Sequence, residues 1–474
     1  MTSQPQPAPR LMAVAFTIAF VQFIGMLEGT IISTALPDMA RDFGVIPSEM
    51  GISITVYLLV VAAFLPASAW IADRFGTRKI LILAITGFGL SSLLCAMSDS
   101  LGFFVAARVL QAFCFSLMAP IGNLVLLRIT PKNQLVQMMA ISTTPALIAP
   151  VIGPPIGGFL TEAAGWPSIF FINLPLSVLG VITIWKLIPD FRKETGRFDI
   201  AGFLLVGSAL SSVVYAFDRL GAHPEHWHEP AALTVLGLAM GLLAWKHLRR
   251  ASAPLFPLHS LNVPTFRSIT YGAGFLMRLP FAGQALLLPL YFQIGFGLSP
   301  ATTGILLLAN NLGDLMLKPV AGKAVRAWTF RNALTYGTAA MMLGMGATAL
   351  LSPNMPLWLL AGAMIAIGMS RSITFTAMVS LAFADIKSEN LAGATVLNTI
   401  GYALSAAIGI SLGAMLVNAA PFGAEVLTNY RFAILGLTAL GVISIPLFAL
   451  MPRNAGAEVS GHRPTEGGGF SQMH

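Results

Sequence analysis

The amino-acid sequence predicts an all-α polytopic membrane protein. Of its 474 residues, 56% are hydrophobic and only 10% are charged, and the mean hydropathy is +0.79. A water-soluble globule must present a polar coat, and about a quarter of the residues in an average soluble domain are charged. Disorder requires low hydrophobicity, so this composition excludes it too. A lipid bilayer is the solvent that fits such a chain.

Long apolar runs predict the number of crossings. A transmembrane helix needs about 20 apolar residues, and helices are favoured over barrel strands because the runs are long and evenly apolar. Fourteen stretches qualify, and the first is too long for a cleaved signal peptide. They lie at 12–36, 50–71, 79–97, 101–126, 136–161, 167–188, 198–216, 231–248, 268–294, 300–322, 332–352, 355–382, 391–418 and 430–451.

The positions of lysine and arginine predict that both termini lie in the cytoplasm. When the N-terminus is placed inside, twenty of the 27 basic residues fall in cytoplasmic segments, and three fall outside, namely Arg41, Arg219 and Arg431. Cytoplasmic loops of membrane proteins carry such an excess. The same distribution explains the pI near 9.7 as a sign of topology, and no nucleic-acid partner is expected.

Polar loops and a faint internal repeat predict the domain organisation. A charged loop at 189–199 and a proline-containing loop at 249–267 enclose two helices, and the sequence at 66–78 is echoed at 319–331. Two similar halves around a midplane cavity are a known transporter plan. The predicted units are an N-terminal six-helix half at 1–190, two linking helices at 191–260, a C-terminal six-helix half at 261–452 and a polar cytoplasmic tail at 453–474.

Several motifs follow one another in a characteristic order. They are LEGTIISTALP at 27–37, AWIADRFGTRK at 69–79, R-x-x-Q at 108–111, PVIGPPIGG at 150–158, GW at 165–166, FFINLP at 170–175 and FD-x-x-G at 198–202. Together they resemble the fourteen-helix drug:proton antiporter branch of the major facilitator superfamily. The resemblance implies the major facilitator fold and a proton-coupled multidrug efflux transporter of a cell inner membrane.

Departures from the family pattern leave the substrate open. The branch usually has Asp where Glu28 stands, glycines where Ala69 and Ala112 stand, and a basic residue where Thr77 stands. The polar residues of the tenth predicted span are also unusual for the branch.

Three charged residues within predicted spans are the candidates for proton coupling: Glu28, Arg108 and Asp314. An ionised group at the centre of a bilayer is costly, so such residues are functional candidates by default. Glu28 and Arg108 lie at similar depth at 1.5 Å per residue, so they can meet. The pair is either a switch that protonation opens or a permanent ion pair that holds two helices together.

Asp314 belongs to a group of charges in the C-terminal half. Lys318 lies one turn further on, on the same helix face, and Arg278 and Arg371 lie at comparable depth. The group is either a charge-neutralising network, with Lys318 reaching the interface, or a second titrating site and a cationic patch for an anionic or zwitterionic substrate. The residues predicted to face a substrate cavity are Gln111, Arg278, Gln284, Asn310, Asn311 and Arg371.

Two motifs predict conformational switching. The cytoplasmic turn provides Asp73, Arg74, Gly76 and Arg78, in which the carboxylate can pair with a basic side chain or a helix N-terminus in one global state only. The other motif lies in the fifth predicted span, where prolines bend the helix and glycines allow close packing that seals against leak. Its residues are Gly153, Pro154, Gly157 and Gly158. The simpler alternatives are a basic anchor and ordinary packing.

The sequence predicts neither an enzyme nor a resident cofactor. It has no nucleotide-binding phosphate loop, serine-nucleophile elbow or zinc-protease motif. The histidines at 223, 226 and 228 are interpreted as a solvated loop, so no metal is expected. The expected partners are a small-molecule substrate, protons and the lipid bilayer, and the expected state is a monomer. The alternatives are a proton-coupled carrier of an anionic metabolite and a transport-dead receptor or scaffold.

Overall fold

A computed structural model describes residues 8–131, 134–222, 227–420, 425–453 and 455–456. In these ranges the regular structure is helical. The α-helices are α1 (Ala8–Ile31), α2 (Leu36–Phe43), α3 (Gly51–Phe75), α4 (Thr77–Ala96), α5 (Leu101–Ile129), α6 (Leu135–Ala164), α7 (Ser168–Phe171), α8 (Asn173–Leu187), α9 (Ile200–Ala222), α10 (His228–Arg250), α11 (Pro264–Tyr271), α12 (Ala273–Leu290), α13 (Pro300–Ala327), α14 (Phe330–Ala347), α15 (Leu357–Ala384), α16 (Leu391–Asn418), α17 (Val426–Val442) and α18 (Ser444–Ala449).

Many of these helices suit a bilayer. Within the described ranges, eleven helical segments are long and apolar enough to cross a membrane. The long helices α6, α13 and α14 are not among them, and α13 carries Asn310, Asn311, Asp314 and Lys318 in its middle. Each predicted stretch coincides with a helical segment, which confirms the fold class. The count of fourteen crossings and the side of the two termini stay predictions.

Helix α9 is longer than the sequence predicted. Its predicted end was residue 216, but the helix continues to Ala222, so Asp218 and Arg219 lie in its last turns. Arg219 Nη2 lies 3.5 Å from Glu229 at the start of α10. The apolar run ends before the helix does, because helical hydrogen bonding can continue through a polar turn.

The bundle has two distinct ends. We call the end at which α3 passes into α4, at Gly76, the basic end, and the other end the opposite end. One apolar cluster at the opposite end joins helices α1–α8 (the N-terminal group) to helices α11–α18 (the C-terminal group). Its large buried members include Leu36, Phe104, Trp166, Leu290, Phe292 and Tyr430. Towards the basic end each group has a separate core, around Phe88 in one and Met341 in the other.

Hydrogen bonds connect the two groups at the opposite end. Gln293 Nε2 donates to the Thr34 carbonyl at 2.9 Å, and Ser48 Oγ donates to Asn418 Oδ1 at 3.1 Å. The Ala301 backbone N–H donates to Glu162 Oε2 at 3.1 Å. The two groups are therefore held together at the opposite end, whereas towards the basic end their apolar cores are separate.

Helices α9 and α10 pack against each other, and α9 also packs against α3 and α16. Asp199 precedes α9 and connects α9 to α10 through hydrogen bonds. One oxygen accepts from the Gly202 N–H at 2.8 Å and lies 2.7 Å from His247 Nε2, while the other accepts from the Leu255 N–H at 3.0 Å. Burial alone would raise the pKa of Asp199. These hydrogen bonds outweigh burial and hold the pKa of Asp199 below its ordinary value.

Candidate functional site

A buried ion pair joins α1 to α5. Arg108 Nη1 lies 2.6 Å from Glu28 Oε1, and the two side chains are 1% and 0% exposed. The sequence predicted that they can meet because they lie at similar depth, and the structure places them in contact. Each side chain neutralises the other, which offsets part of the cost of burying two charges.

Three further polar side chains complete the environment of this pair. Asn173 Nδ2 donates to Glu28 Oε2 at 2.5 Å, and Arg108 Nη1 also lies 2.6 Å from Gln111 Oε1. Gln111 Nε2 in turn donates to Ser92 Oγ at 2.7 Å. All three side chains are buried. Both oxygens of the carboxylate are therefore hydrogen-bonded, as a buried charge requires.

Helix α3 closes the remaining side. The Arg108 guanidinium carbon lies 4.4 Å from the centroid of the Tyr57 ring, and Arg108 Nε donates to the Ser53 carbonyl at 3.4 Å. The pair is thus enclosed by α1, α3, α4, α5 and α8. In chemical terms, a proton on Glu28 would cancel one charge of the pair, and Arg108 would keep Gln111 and the Ser53 carbonyl as partners.

A cavity of about 490 Å³ lies beside the C-terminal group. Helix α6 contributes one wall, and α12, α13 and α15 contribute the rest. Among the described lining residues, the polar and charged ones are Asn311, Asp314, Lys318, Arg371, Thr376 and Ser380. The volume falls in the range of roughly 300–1,000 Å³ that is typical of small-molecule sites.

The charges of this cavity are loosely arranged. Lys318 Nζ lies 3.8 Å and Arg371 Nε lies 3.9 Å from Asp314 Oδ2, which exceeds hydrogen-bond distance. Arg371 Nη2 donates instead to Asn311 Oδ1 at 2.7 Å, and Asn311 Nδ2 donates to the Pro150 carbonyl of α6 at 2.8 Å. Asn311 thereby connects the charged cluster to the N-terminal group.

The structure separates the residues that were predicted to face a substrate cavity. Asn311 and Arg371 line the cavity described above, together with Asp314. Asn310, one residue before Asn311, points elsewhere and donates to the Met364 carbonyl at 3.4 Å. Gln111 belongs to the Glu28 network and lies in the other group of helices.

Arg278 and Gln284 of α12 are likewise buried away from this cavity, at 3% and 6% exposed. Arg278 Nη2 donates to Asn398 Oδ1 at 3.2 Å, and its guanidinium carbon lies 6.0 Å from the Tyr402 ring centroid. Their role in binding a substrate stays a prediction, and in this conformation the cavity is formed without them.

The turn at the basic end is fixed within the N-terminal group. Asp73 Oδ1 pairs with Arg128 Nη2 of α5 at 2.5 Å, and Arg74 is exposed. Gly76 has φ of 101°, and a Cβ there would lie 2.7 Å from Asp190 Oδ1, so glycine is required. Arg78 Nε donates to the Ile188 carbonyl at 2.5 Å. The predicted pairing of Asp73 with a basic side chain exists, and its dependence on state stays a prediction.

The glycines of α6 allow close packing on two sides. A Cβ on Gly153 would lie 2.2 Å from Thr30 Oγ1, and one on Gly157 would lie 2.2 Å from the Ile31 carbonyl, both in α1. A Cβ on Gly158 would lie 2.2 Å from the Pro300 carbonyl of α13. The segment around Pro154 therefore packs closely against both groups at the opposite end, and its role as a seal stays a prediction.

Sequence reasoning missed three side chains of the Glu28 environment, Asn173, Ser92 and Tyr57. A polar residue inside an apolar run was the available signal, and Asn173 also stands within the FFINLP motif. For the predicted histidine loop, His223, Glu225 and His226 lie outside the described residues. Within the described part of the chain, no group of three or more His, Cys, Asp or Glu side chains is placed to hold a metal ion.

Comparisons with known proteins agree with this architecture. Residues 18–409 match the family model of the Major Facilitator Superfamily. A protein of Pectobacterium carotovorum subsp. carotovorum, provisionally named multidrug resistance protein MdtD, is 35% identical over 84% of this chain and 86% of its own length. Its namesake from Salmonella paratyphi A is 33% identical over 92% of this chain and 94% of its own length.

Solved structures share the fold at low sequence identity. A POT family transporter in complex with 5-aminolevulinic acid has a TM-score of 0.65 at 14% identity, covering 94% of this chain and 96% of that chain. A bacterial homologue of the human lysosomal transporter Spinster, in an inward-facing and unoccupied conformation, has a TM-score of 0.64 at 15% identity, covering 97% and 100%. At such low identity, the similarity is one of fold.

Proposed function

Because the chain belongs to the Major Facilitator Superfamily and is a multi-pass membrane transporter, we propose that it is a proton-coupled antiporter that exports drugs or other small amphipathic compounds across the inner membrane. The observation that carries the proposal is the enclosed pair of Glu28 and Arg108, 2.6 Å apart at 0% and 1% exposed. A buried carboxylate inside a membrane-spanning helix is a candidate proton site, because intramembrane acids mark proton pathways. The names of the relatives support drugs as the exported compounds.

The proposed cycle uses the two groups of helices as rigid bodies. In this proposal the basic end is cytoplasmic, so the present conformation opens inward. Protons reach Glu28 from outside when the opposite end is open, protonation weakens its hold on Arg108, and the groups rock about the midplane. A charge that crosses 100 mV supplies about 2.3 kcal/mol, or roughly a 40-fold gradient. One proton for each neutral substrate molecule is therefore enough for useful export.

The organisation of the chain is part of the proposal. The halves comprise residues 1–190 and 261–452, the two linking helices lie in 191–260, and the tail at 453–474 is cytoplasmic. The transporter works as a monomer in this proposal, since a single chain contains both charged sites, one in each half.

The test of proton coupling is Glu28→Gln in proteoliposomes with an imposed pH gradient. We expect this variant to lose gradient-driven substrate transport and substrate-dependent proton flux, because glutamine keeps the shape of the side chain and cannot titrate. The matched control is Glu389→Gln, which makes the same change at an exposed residue of the basic end. Full proton-coupled transport by Glu28→Gln would refute the mechanism.

A second candidate is a proton-coupled carrier of an anionic metabolite. The observation that favours it is the presence of Lys318 and Arg371, against the single acid Asp314, among the described residues that line the cavity. The two candidates differ in the charge of the substrate, which is tested below.

A further inference from the structure

The cavity beside the C-terminal group has an excess of positive charge. Lys318 and Arg371 face the single carboxylate of Asp314 there, at 3.8 and 3.9 Å. These separations are too long for hydrogen bonds, so donors of both cations remain available to a ligand. Lys318 is 40% exposed and Arg371 is 14% exposed, which leaves them within reach of a ligand in the cavity.

Asp314 presents an acceptor to the same space, since its side chain lines the cavity and is 21% exposed. Its Oδ2 atom lies 3.8 and 3.9 Å from the two cations, so among the described residues no donor lies within hydrogen-bond distance of this oxygen. A carboxylate oxygen that lacks a close donor is stabilised by a ligand donor. An amine or a protonated nitrogen is such a donor, and its positive charge would also suit the carboxylate.

Aromatic rings form the adjoining wall. The ring centroids of Phe281 and Phe375 lie 4.6 Å apart in an edge arrangement, and the Arg371 guanidinium carbon lies 5.3 Å from the Phe281 centroid. Val151, Leu315 and Val379 add apolar surface. Such a wall favours a flat aromatic body, because rings gain both apolar burial and specific edge or stacking contacts.

We propose that the transported compounds are aromatic zwitterions. Arg371 and Lys318 bind the carboxylate of the ligand, the Asp314 carboxylate accepts from its amine, and its ring lies against Phe281 and Phe375. This inference rests on the proposed function and names the substrate class of the same transporter. A purely cationic compound would meet two cations against one carboxylate, and a purely anionic compound would meet Asp314 without a donor.

The test compares three dyes of one shape. The first, an amino-xanthylium dye with a free phenyl carboxylate, is a zwitterion. The second, the methyl ester of this dye, is a cation. The third is fluorescein, in which oxygen atoms replace the amino groups, and it is an anion. Equilibrium binding to the full chain in detergent at neutral pH is measured by fluorescence anisotropy. We expect the zwitterion to bind at least about tenfold more tightly than the ester, which is the usual effect of a charge-assisted hydrogen bond.

Variants assign this preference to residues. Arg371→Gln should remove the preference of the zwitterion over the ester. Lys318→Gln, at a side chain that is 40% exposed, should reduce it. Asp314→Asn should remove the preference of the zwitterion over fluorescein. The control is Lys323→Gln, an exposed residue of the same helix that is not among the residues lining the cavity, which should leave the order unchanged.

Three outcomes would overturn the inference: an ester that binds as tightly as the acid, fluorescein that binds more tightly than the zwitterion, or a preference that survives both Arg371→Gln and Lys318→Gln. Binding in detergent requires no gradient, so the result is independent of proton coupling. If Glu28→Gln retained coupled transport, the coupling mechanism would fail while the dye order still decided the substrate class.

Discussion

The two carboxylate sites of this transporter use the same chemical groups in opposite ways. In the N-terminal group, Glu28 and Arg108 lie 2.6 Å apart and are almost completely enclosed. In the C-terminal group, Asp314 lies 3.9 Å from Arg371, and the two side chains are 21% and 14% exposed on a cavity wall. The first site has its hydrogen bonds satisfied, whereas the second has an open acceptor and open donors.

This contrast indicates that the two sites have different tasks. A closed, fully bonded pair suits exchange of a proton, which needs little space. A loose, partly exposed cluster can exchange its internal contacts for those of a larger ligand. The proposals above assign these two tasks to the two groups of helices, and the predictions below ask whether the sites differ energetically as their geometry implies.

The largest expected difference concerns stability. Arg108→Met leaves Glu28 buried without its cation, which should lower the free energy of unfolding by about 3–5 kcal/mol. Arg371→Met should cost less, about 1.5–3 kcal/mol, because its ion pair is long and the main loss is its hydrogen bond to Asn311. Thermal unfolding in detergent measures both, and Glu28→Gln combined with Arg108→Met should recover much of the loss. Equal losses at the two sites would contradict the contrast.

A smaller effect is expected at the close contact between α6 and α13 at the opposite end. Gly158→Ala places a methyl group against the Pro300 backbone of α13, and overpacking of this kind costs about 1–3 kcal/mol. The closed state should lose population, so a cysteine introduced at the buried Ser48 should react roughly fivefold or more faster with an impermeant maleimide. The native cysteines are buried.

The matched control for that experiment is Gly29→Ala, since a Cβ on Gly29 meets nothing within 4 Å. The control should leave labelling at the parent rate. If Gly158→Ala labelled no faster than Gly29→Ala, the close packing of α6 on α13 would have no part in closing the opposite end.

The smallest expected effect tests hydrogen-bond satisfaction at Asp199, which precedes the first residue of α9. Asp199 resembles Glu28 in having both oxygens bonded, and its pKa lies below the ordinary value. Its contribution to stability is therefore complete above about pH 3.9 and is lost as the pH falls through the lowered pKa of the folded state. Asp199→Asn should cost about 1 kcal/mol at neutral pH.

The measurement is the difference in melting temperature between the parent and Asp199→Asn from pH 5 down to pH 3. The difference should stay constant at the upper end and shrink at the lower end. A difference that grew on acidification would contradict the assigned direction.

Much of the architecture follows from the sequence because a bilayer restricts what a chain can do. Apolar runs of about 20 residues predict helices, since lipid leaves backbone groups no other partners. The contact between Glu28 and Arg108 was predictable for the same reason, because two opposite charges at equal depth in lipid attract each other strongly. The signal for Asn173 was weaker, since one amide in an apolar run has many possible partners.

What the sequence determined by itself is the solvent, the helical class, the family resemblance and the depth of each charged group, because these depend on composition and on the rise per residue. The tertiary structure decided which way each side chain points. Asn310 and Asn311 are neighbours in sequence, but a step of one residue turns a helix by about a quarter of a circle or more. Asn311 therefore lines the cavity while Asn310 bonds to Met364. Contacts between distant segments of the chain determine the packing angle of each helix and its rotation about its own axis.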